Sequence, residues 1–265
     1  MTQAHLLKTS GLDAGYAEAS VIAGLNLTLA PGQITAIVGP NGCGKSTCLK
    51  SLARLLKPRR GQVLLDGKAI HRLPTRALAQ VLGLLPQSPL APEGITVADL
   101  VGRGRTPHHG MMGRWGAADD AAVARALEAS DLADLADRAV DELSGGQRQR
   151  CWIAMALAQE PEILLLDEPT TYLDIVHQLD VLDLLQQLNR REGTTMALVL
   201  HDLNMAARYA DRIVAMAGGQ VIVEGTPEQV ITPDNLRVVF GLEAQVLPDP
   251  VSGRPLLIPV GRAGG

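Results

Sequence analysis

The glycine-rich segment at residues 39–47 reads GPNGCGKST. It follows the β-branched run at 34–38 and precedes apolar residues that recur at helical spacing as far as Leu56. Glycines allow backbone N–H groups to surround a phosphate, and the start of the following helix adds partial positive charge. Lys45 would reach the β- and γ-phosphates of a nucleotide, and Ser46 would bind Mg²⁺. The segment is therefore typical of a phosphate-binding loop.

Polar residues also follow two other apolar runs. Asp167 and Glu168 come directly after ILLL at 163–166, and His201 comes directly after MALVL at 196–200. Asp167 suits the ligand shell of Mg²⁺, and Glu168 suits the positioning and polarisation of an attacking water. Ligands of open α/β sheets lie beyond the carboxyl ends of the strands. We therefore expect these residues and the phosphate-binding loop to converge on one γ-phosphate.

A further helix start is predicted at residues 143–147, which read LSGGQ. Ser144 is a suitable N-cap, because its hydroxyl can accept a hydrogen bond from a backbone N–H of the first turn. Gly145 and Gly146 expose backbone amides to an anion. Alone, the segment reads as a capped helix; beside the other motifs it indicates a second phosphate contact.

The order of apolar runs predicts the architecture that positions these residues. Strands alternating with helices imply a mainly parallel sheet with helices on both faces. Gly218 and Gly219, followed by VIV, predict a hairpin turn. Residues from about 88 to 154 read as a mostly helical insertion, and residues from 242 onward read as a peripheral tail.

Composition limits the class of protein. The 265 residues are 46% apolar and 20% charged, which suits one large domain or two closely joined subdomains. A net charge of −4 without a basic tract gives no reason to expect nucleic acid as a partner. No apolar run approaches the roughly 18–20 residues of a membrane span, and the N-terminus lacks the apolar core of a secretory signal. We therefore expect a cytoplasmic chain that reaches a membrane only through partner subunits.

The cysteines give no sign of a disulfide framework or a zinc site. There are three of them, an odd number, without a CxxC pair. Cys48 and Cys151 are expected to be small buried residues, whereas Cys43 lies within the phosphate-binding loop.

With several motifs in one order, the sequence resembles the ATP-binding cassette family. The resemblance covers nearly the whole chain and includes the glutamine-bearing loop at Gln87, LSGGQRQR at 143–150, ILLLDEP at 163–169 and TYLD at 171–174. It implies a P-loop NTPase core of the α/β class, an antiparallel β subdomain and the helical insertion. The ATPase domain would occupy 1–241, with a helical subdomain at about 88–154, and the tail at 242–265 would pack on or beside the core.

The resemblance also implies roles for individual residues. Two copies would pair head-to-tail, so that each ATP lies between the phosphate loop of one copy and the LSGGQ segment of the other. The implied catalytic residues are Glu168, His201 and Lys45. The implied nucleotide-binding residues are Tyr16, Gly39, Pro40, Asn41, Gly42, Cys43, Gly44, Lys45, Ser46, Thr47 and Gln87. The implied contacts to the partner's ATP are Ser144, Gly145, Gly146, Gln147 and Asp174. The implied Mg²⁺ ligands are Ser46, Gln87 and Asp167.

The roles implied for Tyr16 and Gln87 depend on their positions in the sequence. Tyr16 lies 29 residues before Lys45, where the family places an aromatic residue that stacks on adenine. The alternative for Tyr16 is a strand residue that packs on the core. Gln87 would sense the γ-phosphate and, because it begins the helical insertion, would link hydrolysis to a permease.

The cargo is suggested by two segments. Residues 168–189 and 96–108 are similar to importer cassettes for iron–siderophores, haem and vitamin B12, and Thr171-Tyr172 favours the ferric-siderophore branch. The implied partners are a separate membrane permease and, indirectly, a periplasmic or lipoprotein substrate-binding protein, with no nucleic acid. The chain would then be peripheral at the cytoplasmic face of the inner (plasma) membrane. Haem or cobalamin import, an exporter cassette and a non-transport ATPase are the alternatives.

Other polar residues have plainer expected roles. His108-His109 is expected to be a surface loop near the permease, and Arg103 and Arg105 either contact the permease or lie in a solvated loop. His177 carries no functional signal in the sequence.

Overall fold

The computed structural model describes residues 5–17, 19–87, 89–109 and 114–263. It divides into two compact units, Met1–Arg72 with Thr195–Gly265, and Leu73–Thr194.

The strands, in chain order, are β1 (Leu7–Tyr16), β2 (Ala19–Leu25), β3 (Thr28–Leu29), β4 (Ile34–Val38), β5 (Arg60–Leu65), β6 (Lys68–Ala69), β7 (Leu82–Leu85), β8 (Ile163–Asp167), β9 (Thr195–Val199), β10 (Arg212–Ala217), β11 (Gln220–Gly225), β12 (Leu242–Pro248) and β13 (Pro255–Arg262). The α-helices are α1 (Lys45–Leu52), α2 (Thr75–Val81), α3 (Val97–Gly102), α4 (Ala117–Ala129), α5 (Gly145–Ala158), α6 (Ile175–Glu192), α7 (Leu203–Tyr209), α8 (Pro227–Val230) and α9 (Pro233–Phe240). Short 3-10 helices occupy Ile70–Arg72, Arg103–His108, Ala133–Leu135 and Val140–Glu142.

A parallel sheet forms the core of the first unit. β10 pairs with β4, and β4 pairs with β9, both in parallel, while β11 pairs antiparallel with β10. Every residue of β4 and β9 is buried, as is typical of a parallel sheet covered on both faces. The predicted parallel strands and the hairpin turn at Gly218-Gly219 are confirmed.

The helix after the phosphate-binding loop is shorter than its apolar spacing suggests. α1 ends at Leu52, and Arg54 adopts a left-handed backbone conformation with φ 62°. The N–H groups of Leu55 and Leu56 both donate to the carbonyl of Lys50, which closes the last turn. Leu56 therefore lies beyond the helix.

A second, antiparallel sheet in this unit runs in the order β2-β1-β5-β6, and β3 also pairs with β1. It confirms the antiparallel β subdomain that the resemblance implied. The last residues described form the antiparallel hairpin β12–β13. The Asn204 side chain of α7 accepts the N–H of Leu257 at 2.7 Å and donates to its carbonyl at 3.2 Å, which joins the hairpin to that helix.

The second unit combines one parallel strand pair, β7 with β8, with longer helices. α6 is the longest helix of the described residues, with 18 residues. Among all the residues that the structure describes, no helix is both long and apolar enough to cross a bilayer.

Arg105 is a buried residue of this unit, and the prediction of a permease contact or a solvated loop is wrong for it. It is 5% exposed, and its Nε donates to Asp119 Oδ1 at 3.0 Å. Its Nη1 donates to Glu160 Oε2 and to the carbonyl of Ala158, both at 2.7 Å. A buried guanidinium requires such partners because an unpaired charge is costly inside a protein. Arg105 therefore connects α4 with the end of α5.

We predict that Gly104→Ala destabilises the protein. A Cβ at Gly104 would lie 2.0 Å from the carbonyl oxygen of Met155 in α5, so the backbone must shift. Overpacking of this kind costs about 1–3 kcal/mol in the free energy of unfolding. Gly261→Ala is the matched control, because nothing lies within 4 Å of a Cβ there. Urea denaturation followed by circular dichroism should show a lowered midpoint for the first variant only; equal midpoints would contradict the packing described.

Candidate functional site

The phosphate-binding loop joins β4 to α1 in the first unit. Gly44 precedes the helix with a left-handed φ of 107°, which a residue with a side chain would adopt only with strain. Lys45 is 5% exposed, and its Nζ donates to the carbonyl of Gly39 at 2.8 Å and to that of Pro40 at 3.1 Å. The ammonium group is therefore held beside the backbone of the loop, where a phosphate would bind.

Two of the three cysteines are fully buried away from solvent, and burial raises their pKa values. Cys48 and Cys151 are fully buried, as expected. Burial raises the pKa of the Cys48 thiol to about 12, with a smaller contribution from Cys43, and burial raises that of Cys151 to about 11. Cys43 is 6% exposed and lies against Gly39.

His201 leaves the sheet at the edge where the phosphate-binding loop begins. β4 and β9 are parallel with Ile37 opposite Val199, and the N–H of Leu200 donates to the carbonyl of Ile37 at 3.2 Å. Asp202 then caps α7 by accepting the backbone N–H groups of Asn204 and Met205. The structure therefore brings His201 to the same edge of the parallel sheet as the loop, as the sequence predicted.

Tyr16 ends strand β1, opposite Ala19 of β2. Its side chain is 47% exposed, so the ring is not packed into the core. An exposed aromatic face is what stacking on a nucleotide base requires.

Glu168 follows β8 in the second unit, and two side chains hold its carboxylate. Gln87 Nε2 donates to Glu168 Oε2 at 2.5 Å, and Thr171 Oγ1 donates to the same oxygen at 3.0 Å. Gln87 follows β7, which pairs in parallel with β8, so both residues lie at one sheet edge. Glu168 has φ 54°, a left-handed conformation that costs a non-glycine residue about 1–3 kcal/mol and is common at functional sites.

Of these partners, Thr171 is not predicted from the sequence, in which it stands out only as part of the variant Thr171-Tyr172 turn. The signal available in the sequence is its position three residues after Glu168. In the structure this spacing forms a turn, in which the N–H of Thr171 donates to the carbonyl of Glu168 at 3.2 Å. Asp167 is 2% exposed, which places the second carboxylate of the pair inside the protein.

The LSGGQ segment begins α5 with a reciprocal cap. The Ser144 hydroxyl accepts the N–H of Gln147 at 3.3 Å, and Gln147 Oε1 accepts the N–H of Ser144 at 3.1 Å. This capping box confirms the predicted N-cap. It also gives the Gln147 side chain a role in shaping the start of the helix.

Asp174 begins α6 and is joined to His177. Its Oδ1 accepts the N–H of His177 at 3.0 Å and hydrogen-bonds with His177 Nδ1 at 2.7 Å. A carboxylate only accepts, so Nδ1 is the donor. The backbone N–H of His177, followed by its ring, holds the pKa of Asp174 below its usual value. The sequence carries no functional signal for His177, but in the structure its ring also lies against Gly146.

The residues predicted to hold Mg²⁺ have suitable chemistry. Ser46, Gln87 and Asp167 offer a hydroxyl, an amide oxygen and a carboxylate, which are the oxygen donors that this hard cation prefers. Within the described ranges, no cluster of three or more His, Cys, Asp or Glu could hold a metal by itself.

Comparison with known proteins identifies relatives along the whole chain. The ABC transporter family matches residues 22–171. YusV of Bacillus subtilis (strain 168), named a probable siderophore transport system ATP-binding protein, is 56% identical over 256 residues, covering 97% of this chain and 93% of YusV. The ferric enterobactin transport ATP-binding protein FepC of Escherichia coli (strain K12) is 48% identical, covering 97% of this chain and 94% of FepC.

A solved structure supports the same assignment. An inward-facing structure attributed to a metal-chelate type ABC transporter matches with a TM-score of 0.83 and 30% sequence identity, covering 98% of both chains. The predicted α/β P-loop fold is confirmed by this match. The chain belongs to the ABC transporter family, and the relatives named here are ATP-binding proteins of siderophore transport.

Proposed function

We propose that this chain hydrolyses ATP to drive import of a ferric siderophore through a separate membrane permease. The observation that carries the proposal is the similarity, along nearly the whole chain, to ATP-binding proteins of siderophore transport. In such a system the siderophore passes through the permease, delivered by a substrate-binding protein. The chain would work at the cytoplasmic face of the plasma membrane, as a peripheral subunit.

Hydrolysis joins a water oxygen to the γ-phosphorus of ATP and breaks the bond between that phosphorus and the bridging oxygen of ADP. Lys45 and the backbone of residues 39–47 bind the phosphates, and His201 contacts the γ-phosphate. Glu168 orients the water and accepts its proton, so that the products are ADP and phosphate. Mg²⁺, when held by Ser46, Gln87 and Asp167, would neutralise charge on the phosphates.

The hydrogen bonds on Glu168 support its role as the base. A carboxylate that must receive a proton from water has to present an oxygen in a defined direction. Gln87 and Thr171 both donate to Oε2, which restricts rotation of the carboxylate. Gln87 therefore contacts the group that acts on water and, as the first residue of the predicted helical insertion, is placed to report nucleotide state to a permease.

We further propose that two copies pair around ATP. Ser144, Gly145, Gly146, Gln147 and Asp174 would contact the ATP held by the partner. The turn beside Asp174 exposes large apolar side chains, Tyr172 at 91%, Ile175 at 64% and Val176 at 61%. Exposed apolar groups beside a polar motif are typical of a surface that a second chain covers.

The permease would dock on the helical part of the second unit. A groove of about 720 Å³ is lined by α3, the 3-10 helix Arg103–His108 and α4. Its lining is mainly apolar and includes Ala98, Trp115, Val123, Ala124 and Leu127, together with Asp99, Arg103 and Asp120. A short amphipathic helix of the permease, with charged residues beside an apolar face, fits such a lining.

A transport assay tests the proposed function. In a strain lacking the gene, we expect expression of the Lys45→Ala variant to leave uptake of radiolabelled ferric siderophore absent, because the phosphates lose their cation. Expression of the Lys57→Ala variant should restore uptake, because Lys57 is an exposed lysine of the same unit. In purified protein, Glu168→Gln should lower the hydrolysis rate about 10²- to 10⁴-fold while ATP still binds. Uptake unchanged by Lys45→Ala would contradict the importer, and uptake of haem or cobalamin instead would reassign its cargo.

A second prediction concerns Thr171. We expect Thr171→Val to lower kcat about tenfold to a hundredfold with little change in KM, because Glu168 loses a hydrogen bond to a charged group. Thr171→Ser, which keeps the hydroxyl, is the matched control and should retain kcat within about threefold of the parent. Equal rates for the valine and serine variants would show that the hydroxyl does not position Glu168.

The docking groove is tested by one pair of variants on the same helix. Ala124 is exposed and lines the groove, whereas Ala121 is exposed on α4 outside it. We expect Ala124→Arg to reduce co-purification with the permease, because the long charged side chain fills the apolar lining. The Ala121→Arg variant should co-purify with the permease normally. The ATPase rates of the two variants, measured without the permease, should be equal. Normal co-purification of both variants would place the permease elsewhere.

A further inference from the structure

We propose that His177 is a positioning residue that holds Asp174 and the LSGGQ segment as one rigid surface for the second copy. The inference rests on the proposed function, because it concerns the pairing of two copies around ATP. It assigns to His177 a role that acts through Asp174 and Gly146 and needs no contact of its own with ATP.

The first observation is the approach of the His177 ring to Gly146. A Cβ at Gly146 would lie 2.2 Å from His177 Cδ2, 2.7 Å from Cγ and 2.9 Å from Nε2. Real Cβ atoms do not approach ring atoms so closely, so only glycine fits beneath this ring. Gly146 is buried, while its neighbours Ser144 and Gly145 are exposed. The ring thus covers one side of the LSGGQ segment and leaves the other side open.

The second observation is that the opposite edge of the same ring is held by Asp174. Nδ1 donates to Asp174 Oδ1 at 2.7 Å, and the same oxygen accepts the backbone N–H of His177 at 3.0 Å. Both bonds fix the ring relative to the first turn of α6. One imidazole therefore contacts two motifs that are about 30 residues apart in the sequence, and both motifs are assigned to the partner's ATP.

Another contact between α5 and α6 lies further along the helices. Arg150 of α5 pairs with Asp180 of α6 at 3.5 Å, and with Asp131 at 3.2 Å. The Arg150–Asp180 pair connects α5 with α6 about one turn beyond the LSGGQ segment. At the exposed beginning of both helices, it is the His177 ring that lies between them. Loss of the ring should therefore let Asp174 and the LSGGQ segment move relative to each other without releasing the helices.

The consequence is specific to pairing. A second copy must meet both motifs at once, and a surface that is already ordered pays less conformational entropy on association. The residues assigned to ATP within a single copy are the phosphate-binding loop, Tyr16, Gln87 and Asp167. They are distinct from the two motifs that the His177 ring contacts. His177 variants should thus weaken ATP-driven pairing and leave the affinity of the monomer for ATP unchanged.

The experiment measures ATP-dependent dimerisation by analytical ultracentrifugation in a Glu168→Gln background, which retains bound ATP. We expect His177→Ala to raise the protein concentration for half-dimerisation about tenfold or more, because the two motifs must then be ordered as the copies associate. ATP affinity of the monomer and the thermal midpoint should stay at the parental values.

Two conservative variants separate the hydrogen bond that His177 donates from the volume of its ring. His177→Asn places an amide nitrogen on Cγ, where Nδ1 stands, and should restore dimerisation to within about threefold of the parent. His177→Phe keeps a ring against Gly146 without the donor and should behave like the alanine variant.

The outcomes are distinct. Dimerisation of His177→Ala at the parental concentration would overturn the inference. An equal loss of dimerisation in the alanine, asparagine and phenylalanine variants, accompanied by a lowered thermal midpoint, would also overturn the inference. His177 would then act only through packing. A Glu168→Gln parent that stays monomeric with ATP would instead contradict the proposed pairing itself, and the inference would fall with it.

Discussion

The parallel pairing of buried strands is the constraint on which the candidate chemistry depends. In the first unit, Ile37 lies opposite Val199, so the phosphate-binding loop and His201 leave neighbouring strands at one sheet edge. In the second unit, Leu85 lies opposite Leu166, so Gln87 and Glu168 leave neighbouring strands and meet at 2.5 Å. Polar groups at the ends of such strands escape the apolar interior while their backbone stays anchored in it.

Helix starts provide the second means of placing polar groups. Ser144, Asp174 and Asp202 each cap a helix with a side-chain oxygen, which fixes the backbone where a functional residue stands. The same caps leave N–H groups of the first turn available to an anion. Stability of the helix and the position of the phosphate contact proposed at the LSGGQ segment would therefore come from the same local geometry.

The helical part of the second unit shows how buried charge shapes a surface. Arg105 is enclosed with Asp119 and Glu160, and this network connects α4 with the end of α5. Trp115 stacks on His109 with ring centroids 5.6 Å apart and lines the groove beside them. The groove proposed for the permease has a mainly apolar lining that includes this aromatic pair. Arg105, which the sequence suggests as a surface contact, instead supports the packing of the helices around it.

The sequence by itself determined the phosphate-binding loop, the strand-end carboxylates, the capped LSGGQ helix and the family. Each of these is a local pattern, because the residues that act together are neighbours in the chain or stand at a strand or helix end. Only the tertiary structure decided that Arg105 is buried, since its partners Asp119 and Glu160 lie 14 and 55 residues away. It also decided that Gln87 and Thr171 donate to the same oxygen of Glu168, and that the His177 ring covers Gly146. No spacing rule predicts contacts between separate helices, because packing of the whole unit selects which side chains meet.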